Sequence, residues 1–306
     1  MARKNRIKQG SIAVSAVLYF VAILLGLITL YPLIFIVSNS FSLPIHAAAG
    51  NVWLLPKGFS MRAYNFVFQS STLGRAFINS ISYTAFITLA NVAVTMMCGY
   101  GLSRTGLMGK KFIQLYIILP MWFGAGLIPE FINMNRLGLV NSLWAIFLPS
   151  AISIYNVILA RTFITKLPQS LIEAAMIDGA TVSSRFIRIV LPLSKPIIAV
   201  LSLYVALAAW SEWFSYMVYL PSVNDLHPLQ YFLVKTLLIG RAQTELAVNE
   251  IMTMTMKETM ERLELAYVVP QLKYATIVVT TVPIMCLYPF VQKYFVQGVM
   301  LGSLKE

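Results

Sequence analysis

The chain has 306 residues, 58% of them hydrophobic and only 11% charged, with a mean hydropathy of +0.77. That balance excludes an ordinary soluble domain and points to a polytopic membrane protein. A net charge of +12 would suit nucleic acid in a soluble protein, but here the basic residues do not interleave with aromatics in a polar patch. The charge reads instead as topology, and no nucleic-acid partner is expected.

Residues 1–11 carry Arg3, Lys4, Arg6 and Lys8 and read as a basic, cytoplasmic tail. From residue 12 to 306 the chain reads as a single transmembrane domain. The first uncharged run, Ile12 to Val37, would make roughly 39 Å of helix, enough to span with tilt. A cleaved signal peptide ending near Ala47-Ala48-Ala49 is the alternative, but the run is too long for a signal core. Five further spans are bounded by charges: Ala76 to Ser103, Phe112 to Pro129, Leu137 to Ala160, Pro196 to Ser211 and Tyr274 to Gln292. Pro32, Pro120, Pro149, Pro283 and Pro289 imply kinks, common where helices line a path.

With the N-terminus inside, most Lys and Arg of the short loops fall on the tail's side, which places both termini and the segment 165–195 in the cytoplasm. The loop 217–273 is then extracellular. Within it Leu226 to Gly240 is apolar but short and is interrupted by Lys235, which favours an interfacial or extracellular helix over a seventh span. The insert 240–268 interleaves Met252, Met254, Met256 and Met260 with charges. It reads as an amphipathic surface for a soluble partner, with a plain spacer as the other reading. Cys98 and Cys286 sit in apolar runs and read as core thiols. His46 and His227 are far apart in sequence and offer no metal-ligand cluster. No glycine-rich loop followed by Lys-Ser/Thr is present, and no nucleophile–base–acid set can be argued, so the chain is not expected to be an enzyme or to bind a cofactor.

Between two of the apolar runs lies a more polar segment, Glu173 to Pro196. Leu171 to Ile177 holds good helix formers, and Glu173 and Asp178 point to different sides of such a helix, so they form no acid/base pair. Ala174 and Ala175 let another surface approach. Gly179 can take a left-handed backbone and end the helix, and Thr181, Ser183 or Ser184 can cap a second one. Phe186, Ile189, Val190 and Leu193 recur at helical spacing as one apolar stripe, with Arg185 and Arg188 between them, suited to lipid phosphates or a partner. An ordinary amphipathic connector would carry the same charge pattern.

Trp210-Ser211-Glu212-Trp213-Phe214 is the other informative cluster. Aromatics at a span end form interfacial belts, but Glu212 is costly against lipid and so should face a cavity or a partner. Aromatic faces also suit the C–H surfaces of sugar rings. Tyr155 and Asn156 are further candidates for the path, although a helix–helix hydrogen bond serves Asn156 equally well.

Glu173-Ala174-Ala175, three residues on to Gly179, then Ile189 and Leu191-Pro192, resembles the EAA loop of ABC-importer permease subunits, and Asp178, Ala180, Phe186 and Pro196 extend the match. Trp210 to Phe214 resembles the Trp-Asn-x-Trp-Phe stretch of maltose-type sugar permeases, with Ser211 in place of Asn. Pro228-Leu229-Gln230 and the end from Gln292 to Ser303 resemble the same group, in particular its lipoprotein and complex-polysaccharide permeases. The resemblance covers nearly the whole chain.

It implies an all-α polytopic membrane protein of six transmembrane helices, the type I importer permease fold with cytoplasmic coupling helices, in a bacterial plasma membrane. It further implies transport of an oligosaccharide and pairing with a second, different permease. ATPase subunits would carry ATP and Mg, and an extracellular solute-binding protein would reach the loop from Tyr219 to Lys273. On this resemblance Glu173 to Ala180 would transmit force, with Glu173 bridging to a basic residue of the ATPase and Asp178 and Gly179 shaping the turn. Phe186, Leu191 and Pro192 would anchor the loop to the spans. An ion-coupled secondary transporter is the alternative, but only Glu130 and Glu212 lie near the membrane to serve coupling ions, both at span ends.

Overall fold

The computed structural model describes residues 2–69, 71–104, 106–236 and 268–286, with side chains from residue 14. The described chain is helical: α1 (Ala2–Ser40), α2 (Pro44–Ala48), α3 (Arg62–Gln69), α4 (Ser71–Ser103), α5 (Lys110–Trp122), α6 (Leu127–Arg136), α7 (Trp144–Ser150), α8 (Ile154–Ile164), α9 (Gln169–Ile177), α10 (Val182–Arg185), α11 (Leu191–Leu193), α12 (Lys195–Ser211), α13 (Phe214–Tyr219) and α14 (Val268–Cys286). Among the described residues four helical segments are long and apolar enough to cross a membrane, and six if each of two bent pairs is one span.

The spans differ from the charge-bounded runs in their ends. The run expected from Phe112 to Pro129 is broken: α5 and α6 meet at 114° across Phe123–Gly126. Gly126 takes φ +84° there, and hydrophobicity alone cannot register such a turn. The run expected from Leu137 starts as a helix only at Trp144, and α4 begins before Arg75. Residues 229–236 are helical. The methionines 252–260, the tail's basic side chains, Pro289 and the terminal stretch Gln292–Ser303 lie outside the described residues. Cys98 is half-buried, but Cys286 is exposed rather than in the core, because it sits on an outward face of α14.

The chain falls into two compact units, one from Met1–Ser70 with Lys235–Thr281, the other from Ser71–Val234 with Val282–Glu306. In the first, α1 ends in a buried polar knot of Ser38, Asn39, Ser40 and Ser42. Gln271, fully buried on α14, turns its amide Nε2 toward three backbone carbonyls, those of Ser40 (3.2 Å), Ser42 (2.8 Å) and Ser60 (3.2 Å). Ser40 Oγ and Tyr64 Oη share a hydrogen bond at 2.9 Å, and burial pushes the Tyr64 phenol up, partly offset by that bond. Because buried carbonyls cost about 1–3 kcal/mol each when stripped of a donor, Gln271→Leu is expected to lose several kcal/mol. Thermal unfolding in detergent should show a clearly lower midpoint than for Gln169→Leu, whose side chain is exposed.

In the second unit α4 packs along α8 and α12. The α4–α8 approach needs a glycine: a Cβ on Gly99 would lie 2.8 Å from Ala160 Cβ and 3.1 Å from the Arg161 backbone nitrogen. This packing builds two apolar clusters. One joins Tyr83, Ile87, Ile146, Val205, Tyr216 and Leu220; the other joins Met96, Tyr100, Ala160, Ile164, Ile172, Val190 and Leu201. The loop after α13 is laced to the start of α4. Arg75 pairs with Asp225, Asn79 Nδ2 donates to the Asp225 carbonyl (2.8 Å), and the Leu229 N–H donates to Ser80 Oγ (2.7 Å). Asn141, at φ +63°, donates its N–H to the Tyr219 carbonyl (2.7 Å) and accepts the Ser222 N–H (3.1 Å).

Candidate functional site

Pro168 precedes α9, and at its far end Gly179 takes φ +74°. There the Gly179 N–H reaches the Met176 carbonyl (3.1 Å) and the Ala180 N–H the Ala175 carbonyl (2.9 Å), which closes the helix on carbonyls that would otherwise be orphaned. Thr181 then caps the next helix, its Oγ1 accepting the Ser184 N–H at 3.2 Å. From Phe186 to Val190 the backbone winds as a π-helix before α11 resumes. The wider turn rotates every residue after it, so the apolar stripe read from helical spacing does not stay on one face. Phe186 and Ile189 are half-buried and Val190 fully buried, but Leu193 is exposed and Ser194 is buried in its stead.

The underside of this loop is keyed to three spans. Ile172 and Val190 belong to the cluster with Met96 and Tyr100 of α4, Ala160 and Ile164 of α8, and Leu201 of α12; Leu191 packs against it. Phe186 stacks on Tyr100 with centroids 5.2 Å apart. Pro192 is exposed, so it does not anchor the loop by packing. Glu173, Ala174, Asp178 and Gly179 are exposed, and Ala175 and Ala180 half-buried. The helix also exposes apolar side chains that the motif does not announce: Leu171 and Met176 flank the buried face, and Ile177, on the outer side with Glu173, is 87% exposed. Arg185 corrects the expectation of a lipid- or partner-facing arginine. It is only 6% exposed, and its Nε and Nη1 have no hydrogen-bond partner among the described residues, while Arg188 is exposed. Arg185 closes the first turn after Thr181, where the chain is already folding back onto the spans.

The aromatic cluster is redistributed. Trp210 is buried, edge-on to Phe77 at 6.4 Å, and does not line the cavity beside it. Helical geometry explains this: Trp210 sits two residues from Glu212 and so on another side of α12. Glu212 does face a cavity, and its Oε1 accepts the Ser215 N–H at 2.8 Å, which caps α13. Trp213 and Phe214 pack edge to face outside that cavity. The cavity, about 350 Å³, is lined by Asn91, Ser150, Ser153, Tyr155, Asn156, Tyr204 and Glu212 among apolar residues. Asn156 lines the cavity and gives Nδ2 to Asn91 Oδ1 at 3.5 Å, the helix–helix hydrogen bond that is its other reading. Tyr204 escaped the sequence reading although a signal was present: Tyr204 and Ala208 share one face of α12, and Glu212 follows at the same spacing just past its end.

No protein-family model matches the chain. It is similar to Protein LplC of Bacillus subtilis (strain 168), 34% identical over 92% of this chain and 90% of that one. It is similar also to the polygalacturonan/rhamnogalacturonan transport system permease protein YtcP of the same organism, 32% identical over 94% and 96%. Among solved structures it matches a chain of a bacterial ABC transporter involved in import of the acidic polysaccharide alginate. That match is 30% identical, with a TM-score of 0.80 over 92% of this chain and 96% of that one. The agreement runs the length of the chain, through the loop keyed to three spans, and the chain belongs to the family of membrane permease subunits of ABC sugar importers.

Proposed function

We propose that this chain forms half of the translocation path of an ATP-driven oligosaccharide importer and docks an ATPase subunit through α9 and the turn after it. One observation carries the docking: α9 is exposed on all sides but that of Ile172 and half-buried Ala175, and its underside is built into the cluster shared by α4, α8 and α12. A helix so placed can pass a push from outside the membrane to three spans at once. Interfaces that are packed this densely shift as units rather than deform. Glu173, exposed on α9, is the acid for a basic residue of the ATPase. ATP and Mg then sit on that partner. The second permease, an extracellular solute-binding protein at the loop 217–273, and cytoplasmic termini complete the reading. The polysaccharides handled by YtcP and by the alginate importer support an oligosaccharide as cargo.

The test is gentle detergent extraction of this chain from its native membrane, followed by mass spectrometry of what co-purifies, with Glu173→Lys in parallel. A second permease and an ATPase should come with the parent chain, and the ATPase should be lost from the variant. A chain that stays alone after crosslinking would overturn the reading.

A further inference from the structure

We propose that the cavity between α4, α7, α8 and α12 is a sugar subsite on this chain, and that it reads hydroxyl donors and therefore takes an uncharged sugar unit. The proposal rests on the importer reading above. It starts from the orientation of two side-chain amides. The Ser150 carbonyl can only accept, so the Asn91 atom 2.8 Å from it is the amide nitrogen. Asn91 Oδ1 then faces Thr95 Oγ1 (3.2 Å) and Asn156 (3.5 Å), and Asn156 must turn its own nitrogen inward to donate. Asn156, 6% exposed, lines the cavity, so its Oδ1 is the atom left for a ligand.

Glu212 adds a carboxylate to the same cavity, held in place by the bond that caps α13. Both groups are acceptors. Among the described residues that line it there is no Lys, Arg or His. With Asn156 Oδ1 and Glu212 as fixed acceptors, and serine and tyrosine hydroxyls that can turn to either role, the cavity rewards a ligand that brings O–H donors, while a second carboxylate meets Glu212 as a like charge. Tyr155 and Tyr204, both exposed, supply ring faces for the C–H surface of a pyranose, and Ile87 and Ile146 continue the apolar lining. A volume of about 350 Å³ suits a sugar unit or two rather than a long chain. The alginate importer and YtcP, a permease named for polygalacturonan, both handle acidic polysaccharides, so the charge of the cargo is where this chain would part from them.

The experiment places a cysteine in the cavity, Ala208→Cys, with Cys98→Ser and Cys286→Ser removing the native thiols, in the complex as purified from the membrane. A maleimide reports access. Xylo-, cello-, manno- and galactotrioses are compared with trigalacturonate and trimannuronate. At least one neutral trisaccharide should slow labelling by about threefold or more at saturation, and the uronates should not. Asn156→Leu and Tyr204→Ala should each abolish that protection, judged for each variant against its own labelling rate in the absence of sugar. Equal protection by a uronate, protection by no neutral trisaccharide, or protection that survives both substitutions would overturn the proposal. If the ATPase still co-purifies in that case, the subsite fails alone; if it is absent from the parent complex, the importer reading has failed.

Discussion

Gly179→Val is expected to abolish ATP-driven uptake while leaving the chain in the membrane at its normal abundance. Gly179 takes φ +74°, and none of the described residues lies within 4 Å of where its Cβ would be. The penalty is therefore one of backbone alone. A left-handed conformation costs an ordinary residue about 1–2 kcal/mol, and a β-branched one more, because its two Cγ groups crowd the neighbouring peptides. The chain can escape that cost by unwinding the turn. Doing so breaks the bonds from Gly179 to Met176 and from Ala180 to Ala175 and swings α9 relative to the anchored Phe186 and Val190. The spans lie outside this turn and keep their packing. Asparagine, which tolerates the left-handed region, separates backbone from bulk: Gly179→Asn should retain much of the uptake that valine loses. Uptake by the valine variant equal to the parent's, measured against membrane abundance, would show that the turn carries no force.

Much of this loop is legible in the sequence because turn chemistry is local. A glycine where a helix must stop, a threonine where the next begins and the aromatic at Phe186 each act through neighbours a few residues away. The hidden features depend on accumulated rotation. One π-helical stretch, Phe186–Val190, displaces Leu193 from the face that helical spacing gives it and puts Ser194 inside. The same holds for Trp210. Its neighbour Glu212 faces the cavity as its charge requires, but the tryptophan two residues earlier points to Phe77 and does not belong in one group with it. Arg185 is the sharpest mismatch, since a buried guanidinium with two unmatched donors follows from no local rule, and its sequence context is that of a surface charge. The broken pair α5 and α6 escapes for a different reason: an apolar run meets the length criterion for a span whether or not Gly126 turns it.

Ile177→Arg is expected to release the ATPase from the purified complex while leaving this chain folded. Ile177 is the last residue of α9 and is 87% exposed, so it contributes little to the fold and should tolerate arginine there. Its exposure outside the apolar runs of the membrane is a cost that only a partner removes. Covering an isoleucine side chain is worth about 1.5–3 kcal/mol. Arginine forfeits that gain and adds the desolvation of a charge at the centre of the contact. Together these weaken capture by roughly 100-fold or more. Ser183→Arg, at an exposed position on α10, adds the same charge without removing an apolar side chain and should weaken capture far less. Quantifying co-purified ATPase against this chain, with thermal unfolding in detergent as the control for folding, separates the two. If Ile177→Arg keeps its ATPase, the tip of α9 lies outside the interface, and the contact must be made by Glu173 and Ala174 on the earlier turn. The apolar tip that Ile177 presents would then need another partner, whereas loss of the ATPase from Ile177→Arg alone makes that tip the seat of the coupling and Glu173, one turn earlier on the same face, its orienting charge.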